Sequence, residues 1–349
     1  MKSATASVPA KIHLTGEHSV VYEKPALLAS VNLRSHTTIT ESPDSKISLC
    51  SDKLSCAKSY ELQDIIKYWR KTQETWQPTQ KSNKILERLR REDPFVVILA
   101  TIGQYFDRIN ELPHPFSATI KSEIPLGSGL GSSASVAASL LVALDRYTSK
   151  VVEVENHQYL KQVNKKVYNI ERIMHGNPSG GDNTATVFGG IICLQQIDGK
   201  FTTRHLDINE EVFPQLVLID SGKPYEKTGD MVDYVKRIDT YHKVRIIKKI
   251  SEVSEGVIRN FKQNIFDPLL MTENEYLLEE LGVVGDNAKI IIRNIEKIGG
   301  NAKITGAGGI KKGSGMILAF HHDYKRLIDF VAENKWTYYT PKIGVRGAA

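Results

Sequence analysis

At 349 residues the chain is too long for one minimal core, and 41% hydrophobic with 25% charged residues sets it apart from disordered and fibrous compositions. The net charge of +6 suits small anionic ligands, yet no dense Lys/Arg stripe interleaved with aromatics marks a nucleic-acid surface. The longest apolar stretches, residues 95–102 and 216–219, fall far short of a membrane span, and no apolar segment follows Met1-Lys2-Ser3 as a secretory leader requires. Three cysteines, Cys50, Cys56 and Cys193, lack both a C-x-x-C spacing and a histidine at zinc spacing. So sparse and odd a set fits a reducing compartment, and the expectation is a cytoplasmic protein with neither membrane nor nucleic acid as partner.

In chain order, residues 8–14, 26–31 and 37–40 carry β-branched and apolar side chains and read as strands, with Gly16 and Pro25 as punctuation. Residues 53–93 are polar and rich in Lys, Arg and Gln. They predict a surface excursion with helical pieces, in which Trp69 and Trp76 pack a small helix down rather than stack on a base. Helical spacing over 94–109 gives way to strand alternation over 116–123, then to a glycine-rich turn at 125–133 and a strong apolar helix pattern at 134–147. From 155 to 175, Leu160, Val163, Val167, Ile170 and Met174 step by three and four as one buried stripe, stopped by Gly176 with Pro178 beyond. Asp198-Gly199, between strand patterns at 190–197 and 201–208, is the strongest hairpin signal in the chain. A strand at 215–221, helices at 229–251 and 255–264, and a helix at 286–298 follow. That last helix has Asp286 as expected N-cap, Gly299 as terminator, and Ala288, Ile291, Ile292, Ile295 and Ile298 on one face. A strand at 302–305 then runs into a second glycine loop at 306–315. No internal repeat is visible, and a domain change is expected near residue 190, dividing the chain into 1–190 and 191–349.

Three segments carry chemistry. The run Pro125-Leu126-Gly127-Ser128-Gly129-Leu130-Gly131-Ser132-Ser133-Ala134 lies between a strand and a helix. Glycines at alternate positions allow positive φ and turn N–H groups inward, while the following helix offers unpaired donors and its positive dipole end to an anion. Ser132 and Ser133 add hydroxyls. No lysine follows, which excludes a P-loop, and Ser132 stands where a dinucleotide fingerprint needs its third glycine. A plain strand–helix turn would need only one or two glycines, so phosphate binding is the better account.

In Pro9-Ala10-Lys11-Ile12-His13-Leu14-Thr15-Gly16-Glu17-His18-Ser19-Val20-Val21-Tyr22, Lys11 is a strand cation able to stabilise an alkoxide, although in isolation it reads as a solvated lysine. Glu17 and His18 sit at a turn from which side chains reach a ligand; His18 fits a structural role equally well. In the third segment, Glu171 occupies the last turn of the helix at 155–175, where a carboxylate opposes the dipole unless a cation compensates. Asp182 ends a stretch in which Pro178, Gly180 and Gly181 set an unusual backbone path.

The first two of these segments resemble two of the three motifs of the GHMP kinases. P-x-G-x-G-L-G-S-S-A is similar to the second motif, and the fourteen residues from Pro9 to Tyr22 to the first. The likeness there is nearest the mevalonate kinase branch, P-G-K-V-I-L-x-G-E-H-A-V-V-x-G. Galactokinases carry G-E-H-T-D-Y, whose Asp and Tyr are Val20 and Val21 here, and homoserine kinases lack the G-E-H triplet. Residues 171–183 resemble that branch's E-R-x-I-H-G-x-P-S-G-x-D-N, with Gly181 at a place often held by Val. Ala302-Lys303-Ile304-Thr305-Gly306-Ala307-Gly308-Gly309 resembles the third motif, K-x-T-G-A-G-G-G-G, but Ile310-Lys311-Lys312 interrupts the glycines and the usual Cys is missing.

The resemblance implies an α+β fold, a ribosomal S5-like N-terminal domain joined to a ferredoxin-like C-terminal one. It implies ATP on Pro125, Gly127, Ser128, Gly129, Leu130, Gly131, Ser132 and Ser133, with Gly306, Ala307 and Gly308 closing over the phosphates. It further implies Mg²⁺ on Ser133 and Glu171, Asp182 as the base with Lys11 beside it, and Lys11, Glu17, His18, Asp182 and Thr305 around the acceptor. The acceptor it implies is mevalonate at its primary C5 hydroxyl, and it allows a homodimer. A sister kinase acting on phosphomevalonate, another mevalonate hydroxyl or a sugar is the nearest alternative. A non-catalytic ATP or metabolite sensor is the other, though a sensor has no need of the base.

Overall fold

The computed structural model describes residues 2–75, 93–107, 109, 114–148, 152–176 and 178–349. Trp76 and Asn177 lie outside the described residues. Alternation at the N-terminus gives β1 (Ser3–Thr15), antiparallel along almost its whole length to β2 (Ala26–Glu41). The strands expected at 26–31 and 37–40 are therefore one. The ladder is irregular between Pro9 and Ala10, where β2 contributes Asn32 and Leu33 without opposite partners. Proline has no N–H to donate, so a ladder yields most readily there.

That irregularity decides which way β1 faces. Ala4, Ala6 and Val8 belong to the core beneath the helices of the first sheet, whereas Ala10, Ile12 and Leu14 belong to the core between the two sheets. The odd-numbered residues after Pro9, Lys11 and His13, consequently look toward the helices. Other strands extend β2 on its far edge. β5 (Phe116–Ser122) pairs with residues 35–41 and β6 (Ile191–Ile197) with residues 26–29. β3 (Ile47–Ser51), β4 (Cys56–Tyr60) and β7 (Lys200–Leu206) complete seven strands in the order β4-β3-β5-β2-β6-β7, with β1 on β2. Asp198 and Gly199 have φ of 49° and 74°, the left-handed pair that a tight hairpin needs.

Over this sheet lie α1 (Leu62–Thr75), α2 (Val96–Phe106), α3 (Ser132–Tyr147), α4 (His157–His175) and α5 (Gly181–Phe188). Trp69 is buried against Gly103 of α2, where an added methyl would lie 2.5 Å from its Cβ, so this aromatic packs α1 down as expected. Leu160, Val163, Val167, Ile170 and Met174 are all buried.

The second sheet, β11 (Tyr338–Tyr339), β8 (Val217–Asp220), β10 (Met316–Phe320) and β9 (Asn301–Thr305) in that order, is wholly antiparallel. Its helices are α6 (Thr228–Arg237), α7 (Thr240–Lys262), α8 (Pro268–Glu280), α9 (Asp286–Lys297) and α10 (Tyr324–Glu333). The helix expected at 229–251 breaks instead at Ile238-Asp239, because the Asp239 carboxylate accepts from the His242 N–H at 3.1 Å and starts a new helix. No break occurs at 251–255. Residues 268–280, for which the sequence reading gave no element, form α8, with Pro268 in its first turn and Asp267 capping the Leu269 N–H at 3.0 Å. Asp286 is a first-turn residue rather than the N-cap, which is Gly285. Since β6 and β7 belong to the first sheet, the chain crosses to the second between Leu206 and Val217. We propose that crossing as the domain boundary, in place of residue 190. Among the described residues no helix is long and apolar enough to cross a membrane.

Charge is buried where the sheets meet. Lys303 of β9 and Glu17, just after β1, form an ion pair with both side chains wholly enclosed. Asn274 of α8 donates to the other Glu17 oxygen at 3.1 Å, Thr15 donates to Asn274 at 3.0 Å, and Lys303 also donates to the Ile304 carbonyl at 2.6 Å. Glu275 accepts the Ile304 N–H at 2.8 Å through one oxygen; the other has no partner. Burial pushes its carboxyl up to about 8, against the pull of that N–H and of Lys303. A carboxyl raised in the fold contributes stability at low pH and loses it as pH climbs from about 4.5 to about 8. In thermal melts across that window, Glu275→Gln should lose less stability than the native chain. Equal slopes for the two proteins would show that Glu275 is not held protonated.

Candidate active site

Lys11 projects from β1 onto the glycine loop. Its backbone N–H donates to the Leu130 carbonyl at 3.0 Å, and a methyl on Gly131 would come within 3.0 Å of its Cγ. Gly127, Gly129 and Gly131 all take positive φ, between 72° and 78°, which their alternation anticipates. The Ser128 hydroxyl donates to the Pro125 carbonyl at 2.8 Å and closes the turn, and Gly131 opens α3. The loop thus presents N–H groups at a helix start, the geometry that accepts an anion.

Next to it stand two carboxylates of different character. Asp182 lies in the first turn of α5, launched by Gly180 at φ 79°, and remains a third exposed. Its Oδ1 is 3.0 Å from Lys11 Nζ, and Lys11 itself is almost completely buried. Glu171 in the last turn of α4 is enclosed; the Ser133 hydroxyl donates to its Oε1 at 2.7 Å, and His175 Nε2 approaches Oε2 at 3.4 Å. Burial raises the Glu171 carboxyl above its usual range; His175, Ser133 and Lys11 oppose this, whereas Asp182 reinforces it. The resulting group is a cation, two carboxylates, a hydroxyl and an anion-accepting loop, gathered from four separate stretches of chain.

Not every expected residue joins it. Glu17 has both oxygens engaged in the buried pair with Lys303 and Asn274, so it ties the sheets together instead of facing an acceptor. Thr305 accepts the His13 N–H at 2.7 Å and donates to the His13 carbonyl at 3.1 Å, which clamps β1 to β9 and leaves its hydroxyl committed. His18 Nε2 donates to the Ala307 carbonyl at 2.9 Å, and its Nδ1 is buried without a partner. Burial depresses its basicity, outweighing the Ala307 and Glu17 contributions.

Gly306 and Gly308 have φ of 106° and 71°, and a methyl on Gly308 would sit 2.0 Å from the Val283 oxygen, so no side chain fits there. The interruption at Ile310-Lys311-Lys312 is exposed to solvent, but its backbone is pinned. The Ile310 and Lys311 N–H groups donate to Glu226 at 3.1 and 3.4 Å, and Lys312 bridges to Pro224. The same 222–226 connection sends Lys223 across the glycine loop, with its Cε 2.8 Å from where a Gly127 methyl would lie. Lys223 is one residue the sequence reading missed. His13, whose Nδ1 is 3.2 Å from Lys11 Nζ, is another; its place two residues after Lys11, on the same strand face, was the available signal.

Comparison with known proteins follows this geometry. The GHMP kinases N terminal domain family matches residues 96–190, the stretch that holds the glycine loop, Ser133, Glu171 and Asp182. Mevalonate kinase of Methanothermobacter thermautotrophicus is 28% identical over 314 residues, covering 88% of each chain. Mevalonate kinase of Mus musculus is 28% identical over 337 residues, covering 87% of this chain and 83% of that one. The chain is thus similar to mevalonate kinases over most of its length, and residues 96–190 match the GHMP kinase N-terminal domain. The crystal structure of Methanococcus jannaschii mevalonate kinase shares the fold of this chain with a TM-score of 0.78 at 24% identity, over 97% of this chain and 98% of that one. An α+β GHMP kinase fold is therefore what the sequence expectation called for.

Breaking the ion pair at the seam leaves a charge in a sealed site, which costs about 3–5 kcal/mol in comparable buried pairs. Urea unfolding of Lys303→Met should show a loss of that order. A loss under about 1 kcal/mol, the value of an exposed pair, would mean that the Glu17 site is open to water.

Proposed function

We propose that this kinase transfers the γ-phosphoryl group of ATP to the primary C5 hydroxyl of mevalonate, giving 5-phosphomevalonate and ADP. The observation that carries the transfer is the Lys11–Asp182 pair at 3.0 Å, set beside a loop of inward N–H groups. For mevalonate as acceptor, the support is the alignment with mevalonate kinases over most of the chain and Val20-Val21 where galactokinases carry Asp and Tyr.

Phosphoryl transfer asks for alignment and charge neutralisation more than for covalent chemistry. The loop from Gly127 to Ser133 holds the phosphate oxygens through its N–H groups. Asp182 receives the proton of the acceptor hydroxyl as that oxygen bonds to the γ-phosphorus and the bond to the β–γ bridging oxygen breaks. Lys11 lowers the energy of the developing alkoxide and, through its 3.0 Å contact, holds the Asp182 carboxylate in place.

Magnesium fits the Glu171–Ser133 corner. Both donors are hard oxygens, and a carboxylate this enclosed gains from a cation. Among the described residues no three His, Cys, Asp or Glu side chains form a cage of their own, which suits an ion that takes its other ligands from phosphate and water. When bound there, the ion neutralises charge on the phosphates.

A coupled ADP assay with mevalonate, phosphomevalonate, galactose and homoserine should give turnover with mevalonate alone. ATP binding without turnover on any acceptor would point to a sensor instead. Asp182→Ala should lower kcat by about 10²–10⁴-fold while ATP affinity stays close to native. Turnover near the native rate in that variant would remove Asp182 as the base.

A further inference from the structure

The form of the first motif quoted above has isoleucine where this chain has His13, so the imidazole beside Lys11 is a departure and not part of the general pattern. Lys11 Nζ has two polar neighbours at close range, Asp182 Oδ1 at 3.0 Å and His13 Nδ1 at 3.2 Å. An ammonium only donates, so Nδ1 accepts and the ring carries its proton on Nε2. The surroundings keep it neutral. Burial opposes a charged ring, and Lys11, Lys303 and His18 then add repulsion, so its basicity falls well below that of an ordinary histidine.

The ring also hangs from a fixed point. Thr305 holds the His13 N–H at 2.7 Å and its carbonyl at 3.1 Å, a two-sided clamp between the sheets. Lys11, by contrast, ends in four rotatable bonds with about 2 kcal/mol of rotamer entropy. One partner, the partly exposed Asp182, limits the distance of its ammonium but not its direction. A second acceptor on a clamped backbone supplies that direction.

We propose that His13 is a positioning residue for phosphoryl transfer: a neutral acceptor that holds the Lys11 ammonium against Asp182 and aims its remaining proton at the acceptor oxygen. It acts through Lys11 and need not touch the substrate. The kinetic part of this proposal rests on the roles given to Lys11 and Asp182 above; the contact itself does not.

Two variants separate the roles. His13→Leu fills the space without an acceptor, and His13→Asn restores one of shorter reach. The expected result is a kcat on mevalonate reduced about tenfold in His13→Leu with KM for ATP unchanged, and recovery of most of that loss in His13→Asn. In protein labelled with ¹⁵N-lysine, the Lys11 ammonium signal, assigned by its loss in Lys11→Arg, should be visible in the native chain and in His13→Asn but broadened away in His13→Leu. Native kcat and an intact signal in His13→Leu would overturn the proposal. So would equal losses in both variants, because that pattern belongs to packing alone. If the native chain turns over no acceptor while the signal follows the expected pattern, the contact stands and the kinase assignment is what fails.

Discussion

Between Pro9 and Ala10 the β1–β2 ladder gives two residues of β2 no partner, and the side of β1 that looks at the helices changes there. Everything at the site follows from that change. Before it, small and branched residues pack beneath the helices; beyond it, Ala10, Ile12 and Leu14 turn into the core between the sheets. Lys11 and His13 are thereby presented to the glycine loop. Without the irregularity, strand periodicity would send Lys11 into the apolar layer between the sheets, where an unpaired ammonium is costly.

Around that strand the molecule concentrates its buried polarity. Lys11 meets Asp182, while Glu17 meets Lys303 and Asn274, and Thr305 bridges to the backbone of His13. The first contact lies within the first sheet and its helices, and the others join them to the second sheet. A buried ion pair such as Glu17–Lys303 is a poor source of net stability, since apolar residues of equal volume do as well. What it supplies is a single relative position of the two sheets, because any slip would strand a charge. The third glycine loop follows from the same restraint: His18 holds the Ala307 carbonyl, and Gly308 passes so near Val283 that no side chain could be accommodated.

Much of this was legible in the sequence. The alternating glycines of the phosphate loop announced their positive φ, Asp198-Gly199 its hairpin, and the stripe from Leu160 to Met174 its buried face, because each depends on residues close in sequence. The grouping of Lys11, Ser133, Glu171 and Asp182 came from motif resemblance, since no local rule brings residues so far apart together. What stayed hidden was tertiary. Glu17 reads as a ligand in its motif, and only the position of Lys303 and Asn274 reveals that both oxygens are occupied. The break at Asp239 competes with an apolar period that runs straight through it, and α8 lacks a strong stripe to reveal it. His13 was passed over because one histidine on a strand has no periodic signature.

We propose that a buried cation and a partly exposed carboxylate, fixed on separate elements, share the oxygen that attacks phosphorus. The most direct measurement is a crystal structure of the chain with mevalonate and a non-hydrolysable ATP analogue. The expected result places the C5 oxygen within about 3.2 Å of both the Asp182 carboxylate and Lys11 Nζ, with the γ-phosphate on the Gly127–Ser133 loop. An acceptor bound with that oxygen away from Asp182, or phosphates lying off the loop, would contradict it.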